Sequence, residues 1–148
     1  MKIIQVKREQ ADLVTTLFDG YMQFYEQVSN PEKYGLFISE RLRKNEAVIF
    51  LALSEDGAGM GFTLLYPSFS SVSQGPVYVL NDLFVDPNYR KQGVASQLMD
   101  RAINFAKSKG AVRLHLETGI TNENAQSLYE KEGWVKESDT YHYNFSLK

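Results

Sequence analysis

The chain contains no cysteine. Disulfides, thiolate nucleophiles, acyl-cysteine intermediates and cysteine metal sites are therefore excluded, and any chemistry must use oxygen, nitrogen or a bound cofactor. Neither sign of charge dominates: 16 Lys plus Arg stand against 18 Asp plus Glu, for a formal net charge of -2. No global positive field draws the protein to nucleic acid or anionic lipid, and neither is expected as a partner. Long hydrophobic runs are missing too. The longest, Ala47 to Leu53, is far too short to span a bilayer, and the N-terminal MKIIQVKREQADL turns polar before a signal-peptide core could form, so the expectation is a cytoplasmic protein. The nucleotide motif GxxxxGK[ST] is absent, and Gly57, Gly59 and Gly61 do not complete GxGxxG because Phe62 occupies the last position. Histidine is limited to His115 and His142. Without HExxH or a close His pair, neither supports a zinc site, no metal is expected, and both read as structural. No serine lies in a GxSxG context, which argues against covalent hydrolysis.

What is present is the composition of one folded domain spanning residues 1–148: 43% hydrophobic, 13% aromatic and 23% charged. Lys2 to Lys7 reads as a strand. Leu13, Val14, Leu17, Phe18, Tyr21, Met22, Phe24, Tyr25 and Val28 recur at steps of three and four, predicting a long helix that ends near Ser29 and Asn30 and is weakly interrupted at Gly20. Pro31 suits the first position of a second helix, with Tyr34, Phe37, Ile38 and Leu42 on its apolar face. Ala47 to Leu53 and Gly61 to Tyr66 read as an antiparallel pair joined by a turn with Asp56 and Gly57. Pro67 to Pro76, rich in Ser and Gly, reads as a loop. Val77 to Val85 is a strand that stops at Asp86, Pro87 and Asn88. Val94, Leu98, Ala102, Ile103 and Ala106 form a helical stripe ending at Gly110, and the strand Ala111 to Thr118 follows. Such a crossover makes its flanking strands parallel. A last helix carries Ala125, Leu128 and Tyr129 to Gly133, and Tyr141, Tyr143, Phe145 and Leu147 alternate as in a terminal strand. The expected class is α/β (α+β), a mixed sheet with helices on its faces.

The segment Leu80 to Ala95 carries most of the functional information. A strand leads through a turn into a helix whose start bears Arg90, Lys91 and Gln92, with Gly93 freeing the backbone and only small Ala95 nearby. Several N–H groups can converge there on one anion, reinforced by the helix dipole and fixed positive charge, an arrangement suited to a pyrophosphate. The competing reading is an ordinary basic helix cap with a packing glycine.

Arg90-Lys91-Gln92-Gly93-Val94-Ala95 matches [QR]xxGx[GA], the acetyl-coenzyme A signature of the GCN5-related N-acetyltransferase (GNAT) superfamily, which the sequence resembles. Asp82 to Pro87 is similar to the family's fourth strand and its exit. Asn122 to Trp134 is similar to its NxxAxxLYxxxGF element, with Trp for Phe. The resemblance covers nearly the whole chain. It implies a mixed, mostly antiparallel sheet of six to seven strands with helices on both faces, strands 4 and 5 parallel and splayed. It also implies acetyl transfer from acetyl-CoA to a primary amine, directly in a ternary complex. Implied cofactor contacts are the backbones of Leu83, Phe84 and Val85 toward pantetheine, the turn Arg90, Lys91, Gln92, Gly93, Val94, Ala95 and Ser96, and Asn122 and Tyr129. The Val85 N–H is then a candidate oxyanion donor.

Tyr129 stands at the family's general-acid position, and a phenol of pKa about 10 can donate to a thiolate whose conjugate acid has pKa about 8.5. Its alternative is a core aromatic beside Leu128 and Trp134. For the base, many family members carry a fourth-strand Glu, whereas this chain offers Asn81 and Asp82. Neighbouring strand residues face opposite sides unless a bulge intervenes. Asn81 cannot accept a proton. Asp82 can act through water, hold a cationic substrate, or be a structural acid. Asn122 is equally an N-cap candidate. Tyr25 and Glu26, with Tyr21, Phe24, Tyr34 and Phe37 nearby, offer an aromatic and acidic wall for an ammonium, or simply core packing. Tyr25, Glu26, Asn81 and Asp82 are the candidate acceptor-binding residues. The pattern Asp82 to Val85 with the tail Tyr141 to Phe145 is similar to the polyamine and histone-polyamine branches, which points to small amines, polyamines or lysine-like amines and is compatible with a homodimer. A non-catalytic acyl-CoA sensor and a nucleotide-binding regulator are the other classes open at this point.

Overall fold

Strand periodicity and helix periodicity alternate along the chain, and the computed structural model, which describes residues 1–148, resolves them into two compact units, Met1–Glu117 and Thr118–Lys148. In the first unit, strands β1 (Lys2–Gln5), β2 (Val48–Leu53), β3 (Gly59–Ser70), β4 (Gly75–Val85) and β5 (Arg113–His115) form one sheet in the order β1-β2-β3-β4-β5. The first four are antiparallel neighbours, and β4 pairs with β5 in parallel. Helices α1 (Ala11–Phe24) and α2 (Pro31–Arg43) precede β2, and α3 (Val94–Ser108) makes the crossover from β4 to β5.

Both faces of the sheet are apolar because β2 is buried throughout its centre. Ile49, Leu51, Phe62 and Leu64 join Val14, Leu17 and Phe18 of α1 and Tyr34 and Ile38 of α2 in one core cluster. The alternate residue Phe50 meets Phe105 of α3, ring centroids 5.5 Å apart, and Tyr78 meets the same ring at 5.3 Å. Helices therefore cover both faces.

Several expectations are corrected. The sheet has five strands rather than six to seven. Residues 141–147 form no strand: Tyr141, Tyr143, Phe145 and Leu147 alternate as the pattern demands, but each is about nine-tenths exposed, and alternation without a ladder partner gives no sheet. Only Arg113–His115 of the expected strand 111–118 is paired. β5 ends at His115, opposite Val79, and β4 runs on from Leu80 to Val85 with no β5 partner. Most of the expected loop Pro67 to Pro76 is ladder, with Pro67 opposite Tyr78 and Ser70 opposite Gly75. Its exposed ribbon has no buried face to impose hydrophobic alternation, which hid it from a pattern search.

Helix α1 stops at Phe24, short of Ser29. The Glu26 N–H donates to the Gln23 carbonyl and the Gln27 N–H to the Met22 carbonyl, with Glu26 left-handed at φ 62°. This is a Schellman termination without glycine, which is why no stop signal is legible. α2 begins as expected, Pro31 at its first position and the Asn30 side chain accepting from the Lys33 N–H. Asp19, buried on α1, fastens the intervening segment: its carboxylate accepts from the Ser29 hydroxyl at 2.7 Å, the Asn30 N–H at 2.8 Å and the Gln23 amide at 3.0 Å.

Candidate active site

The register of β3 against β4 slips once. Leu64 lies opposite Asp82 and Leu65 opposite Leu80, which leaves Asn81 without a partner as a β-bulge. Directly opposed residues share a face. Asp82 thus lies on the α1 side with Leu64, Phe62 and Phe84, whereas Leu83 shares the α3 side with Thr63 and Phe50. The bulge also brings the two candidate acceptor residues of β4 into one group, since the Asn81 amide donates to Asp82 Oδ1 at 3.1 Å. Below them, the buried Thr63 hydroxyl donates to the Asp82 carbonyl at 2.8 Å.

Asp82 is 4% exposed. Burial pushes its carboxyl above the usual carboxylate range, and hydrogen bonds from the Tyr21 hydroxyl and the Asn81 amide act in the opposite direction. The Tyr21 phenol is itself pushed far above its ordinary value, chiefly by burial and then by the Asp82 charge, so it stays a proton-bearing donor. Burial and then Asp82 also raise Tyr66, with Arg41 opposing and Glu46 adding to the rise. Tyr21 belongs to the expected aromatic wall, but its helical spacing does not mark it as a partner of Asp82, and Tyr66 reads as an ordinary strand residue.

The expected acceptor wall divides. The Tyr25 ring meets the Tyr21 ring at 4.9 Å and is more than half exposed, and left-handed Glu26 follows it. Phe24 touches Tyr25 at 5.3 Å and is exposed. Tyr34 and Phe37 instead pack on Phe18, at 5.7 and 6.0 Å, and the Tyr34 hydroxyl donates to the Val28 carbonyl. Those two are packing residues.

After Val85 the chain turns through a 3-10 segment, Pro87–Tyr89, fastened by Asp86 Oδ1 accepting from the Asn88 N–H. The Arg90 Nε–H donates to the Val85 carbonyl at 2.9 Å, and its guanidinium lies 5.7 Å from the Phe84 ring centre. Lys91 and Gly93 are both left-handed, at φ 61° and 78°. Gly93 caps α3 with no side chain, and the first amide to close a helical turn is that of Gln97, onto the Gly93 carbonyl. The N–H groups of Val94, Ala95 and Ser96 therefore precede the ladder with no side-chain cap competing for them. A phosphate-bearing ligand with an extended arm fits this combination: free amides, local positive charge, and a β4 edge without ladder from Leu80 onward.

In the second unit, α4 (Glu123–Lys131) explains its own sequence. Asn122 Oδ1 accepts from the Ala125 N–H at 3.2 Å, so Asn122 is the N-cap. The Gly133 N–H donates to the Glu130 carbonyl and the Trp134 N–H to the Tyr129 carbonyl, with Gly133 at φ 95°. Another Schellman motif results, and its usual apolar contact is the Tyr129 ring against Trp134, centroids 6.3 Å apart. No group of three or more metal-ligating side chains occurs, and no helix is long and apolar enough to cross a membrane.

A family model described as Acetyltransferase (GNAT) family matches residues 14–134. The chain is 41% identical over 143 residues to a Bacillus subtilis (strain 168) protein named uncharacterized N-acetyltransferase YhfO, covering 97% of this chain and 95% of that one. It is 30% identical over 139 residues to a thialysine N-epsilon-acetyltransferase of Caenorhabditis elegans, covering 90% and 82%. A solved structure of a probable acetyltransferase superposes with a TM-score of 0.95 at 39% identity, over 100% of this chain and 99% of that one. The chain therefore belongs to the acetyltransferase (GNAT) family, whose acyl donor is acetyl-CoA.

Proposed function

We propose that this enzyme acetylates a small primary amine or a lysine-like amine, by direct attack within a ternary complex. The observation that carries the reading is Asp82: an acid buried on the α1 side of β4 and held by Tyr21 and Asn81. The relative named for thialysine supports a lysine-like acceptor.

When bound, acetyl-CoA supplies an activated thioester, whose acetyl group passes to the amine nitrogen as the C–N bond forms and the C–S bond breaks. Arg90, Lys91 and the N–H groups at the start of α3 bind its phosphates. Leu83, Phe84 and Val85 present backbone groups to its arm, and the Val85 N–H faces the developing oxyanion. A primary amine of pKa near 10 is only about 0.1% neutral at pH 7. Asp82 binds the ammonium and takes its proton, and burial raises the basicity of that carboxylate. Tyr129 donates its phenolic proton to the departing thiolate. Tyr25 and Glu26 line the amine's approach. With no cysteine to carry an acetyl group, the transfer is direct. A homodimer belongs to the same reading, supported by the exposed alternating tail 141–147.

The test is release of free thiol from acetyl-CoA across polyamines, aminoglycosides, amino acids and lysine peptides, with wild type beside Asp82→Asn and Tyr129→Phe. Amine-dependent release that collapses in both variants supports the reading and ranks acceptors. Silence with every amine, while acetyl-CoA still raises the melting temperature, overturns it in favour of a sensor.

A further inference from the structure

We propose that Tyr21 is a positioning residue of the acetyl-transfer reaction, its hydroxyl aiming the Asp82 carboxylate at the incoming amine from a site on α1 that Gly20 brings against β4. The proposal rests on Asp82 being the proton acceptor.

Tyr21 is fixed by its ring. It meets Phe62 at 6.1 Å and Phe84 at 6.3 Å, both edge-on. Those two residues are register partners, and the next inward-facing pair is Leu64 with Asp82. The tyrosine therefore lies over the position where the bulge has turned Asp82 toward α1. The approach of helix to sheet depends on the preceding residue: a Cβ on Gly20 would sit 3.2 Å from two ring atoms of Phe84. A side chain there would press on the Phe84 ring, so that ring or α1 would have to shift by a few tenths of an ångström.

Asp82 is consequently held on more than one side. Tyr21 donates from α1, the Asn81 amide donates from its own strand at 3.1 Å, and the Thr63 hydroxyl fixes its carbonyl from β3 at 2.8 Å. Tyr66 faces the acid from β3 and in turn senses Arg41 and Glu46. The far side of the Tyr21 ring touches the more exposed ring of Tyr25 at 4.9 Å. Tyr21 thus links the candidate amine approach to the buried acid. A phenol that holds its proton throughout the working range donates to the ionised acid, so it stabilises the carboxylate over the carboxylic acid and offsets part of the cost of burial.

The experiment is the pH profile of kcat/KM for wild type, Tyr21→Phe and Asp82→Asn, with any amine that supports thiol release. Tyr21→Phe keeps the ring and removes the donor. Its acidic limb moves to higher pH, with about a tenfold loss at neutral pH largely recovered in alkali, while the acetyl-CoA thermal shift is unchanged. 3-Fluorotyrosine at position 21, a more acidic donor in the same place, moves the limb the other way and serves if the phenylalanine variant folds poorly. An acidic limb that stays in place in both, while Asp82→Asn abolishes it, overturns the role of Tyr21 and leaves Asp82 as the base. A limb and rate unchanged in Asp82→Asn overturn the underlying reading instead.

Discussion

Leu80 and Asp82 lie two residues apart on β4, each 4% exposed, and they belong to opposite faces of the sheet. In a regular strand they would share a face. The unpaired Asn81 between them rephases the strand, so that its first half packs with Tyr78 on α3 and its second half presents Asp82 and Phe84 to α1. One inserted residue thus converts a packing strand into a strand that carries an acid.

That acid costs stability. Its folded pKa lies above the unfolded value, so the folded state holds the extra proton between the two values and loses stability as pH rises through the folded pKa. Asp82→Asn removes the ionisation while keeping the shape and an acceptor for Tyr21. The variant should melt a few degrees above wild type at neutral pH and converge with it below about pH 4, where both forms are neutral. Transfer should fall at least about a hundredfold. Melting curves at several pH values beside a thiol-release assay check both halves; a lower melting temperature at neutral pH would contradict the argument.

Lys91 holds a left-handed backbone, at a cost of about 1 kcal/mol for a residue with a Cβ. Lys91→Gly should therefore stabilise the protein by about 0.5–1 kcal/mol before any chain-entropy loss, and at the same time raise the KM for acetyl-CoA through loss of one cation. Gly93→Ala, at φ 78° with open space around its Cβ, should do the reverse to stability and also weaken acetyl-CoA. Thermal shift with and without acetyl-CoA separates the two effects.

The parts of this site that sequence made legible are those written in local chemistry. The turn Arg90 to Ala95 and the helix bracketed by Asn122 and Gly133 each declare themselves within a few residues, because caps and left-handed glycines act at short range. The bulge does not. Nothing in Leu80-Asn81-Asp82 says which residue loses its partner; that depends on what Leu64 and Leu65 find across the sheet. The bond from Tyr21 to Asp82 spans 61 positions of sequence and is likewise set by packing. Glu26 ends α1 without the glycine that would have signalled it, and the tail 141–147 shows a strand pattern with no partner to pair with.

Gly61 is required by contact rather than by conformation. A Cβ there would stand 2.7 Å from the Phe84 carbonyl oxygen and 3.2 Å from the Val85 Cα. Backbone cannot rotate aside as a side chain can, so Gly61→Ala must separate β3 from β4 next to the candidate oxyanion donor. A destabilisation of about 1–3 kcal/mol is expected, together with loss of activity beyond what the unfolded fraction explains. Denaturant unfolding checks the first and activity per folded molecule the second.

Asp19 holds the connection from α1 to α2 through three donors, two of them from Ser29 and Asn30. Asp19→Asn replaces charge-assisted bonds with neutral ones and turns one acceptor into a donor facing a donor. A loss of about 2 kcal/mol is expected. Hydrogen exchange should place that loss in residues 25–31, with little change in β4; uniform loosening would show that the carboxylate has no local role.

Tyr129 has a structural duty and a proposed chemical one, carried by different atoms of the residue. Its backbone carbonyl accepts from the Trp134 N–H and its ring rests on the Trp134 ring, both part of the helix termination. Neither needs the hydroxyl. Tyr129→Phe keeps both contacts, and kcat should fall by about a hundredfold or more while the KM for acetyl-CoA stays near wild type, as expected for loss of a general acid. Tyr129→Ala should do both, lowering kcat and also destabilising the end of α4 as the contact with Trp134 goes. If phenylalanine supports full turnover, the thiolate takes its proton from elsewhere, and the duty of Tyr129 is to close the helix.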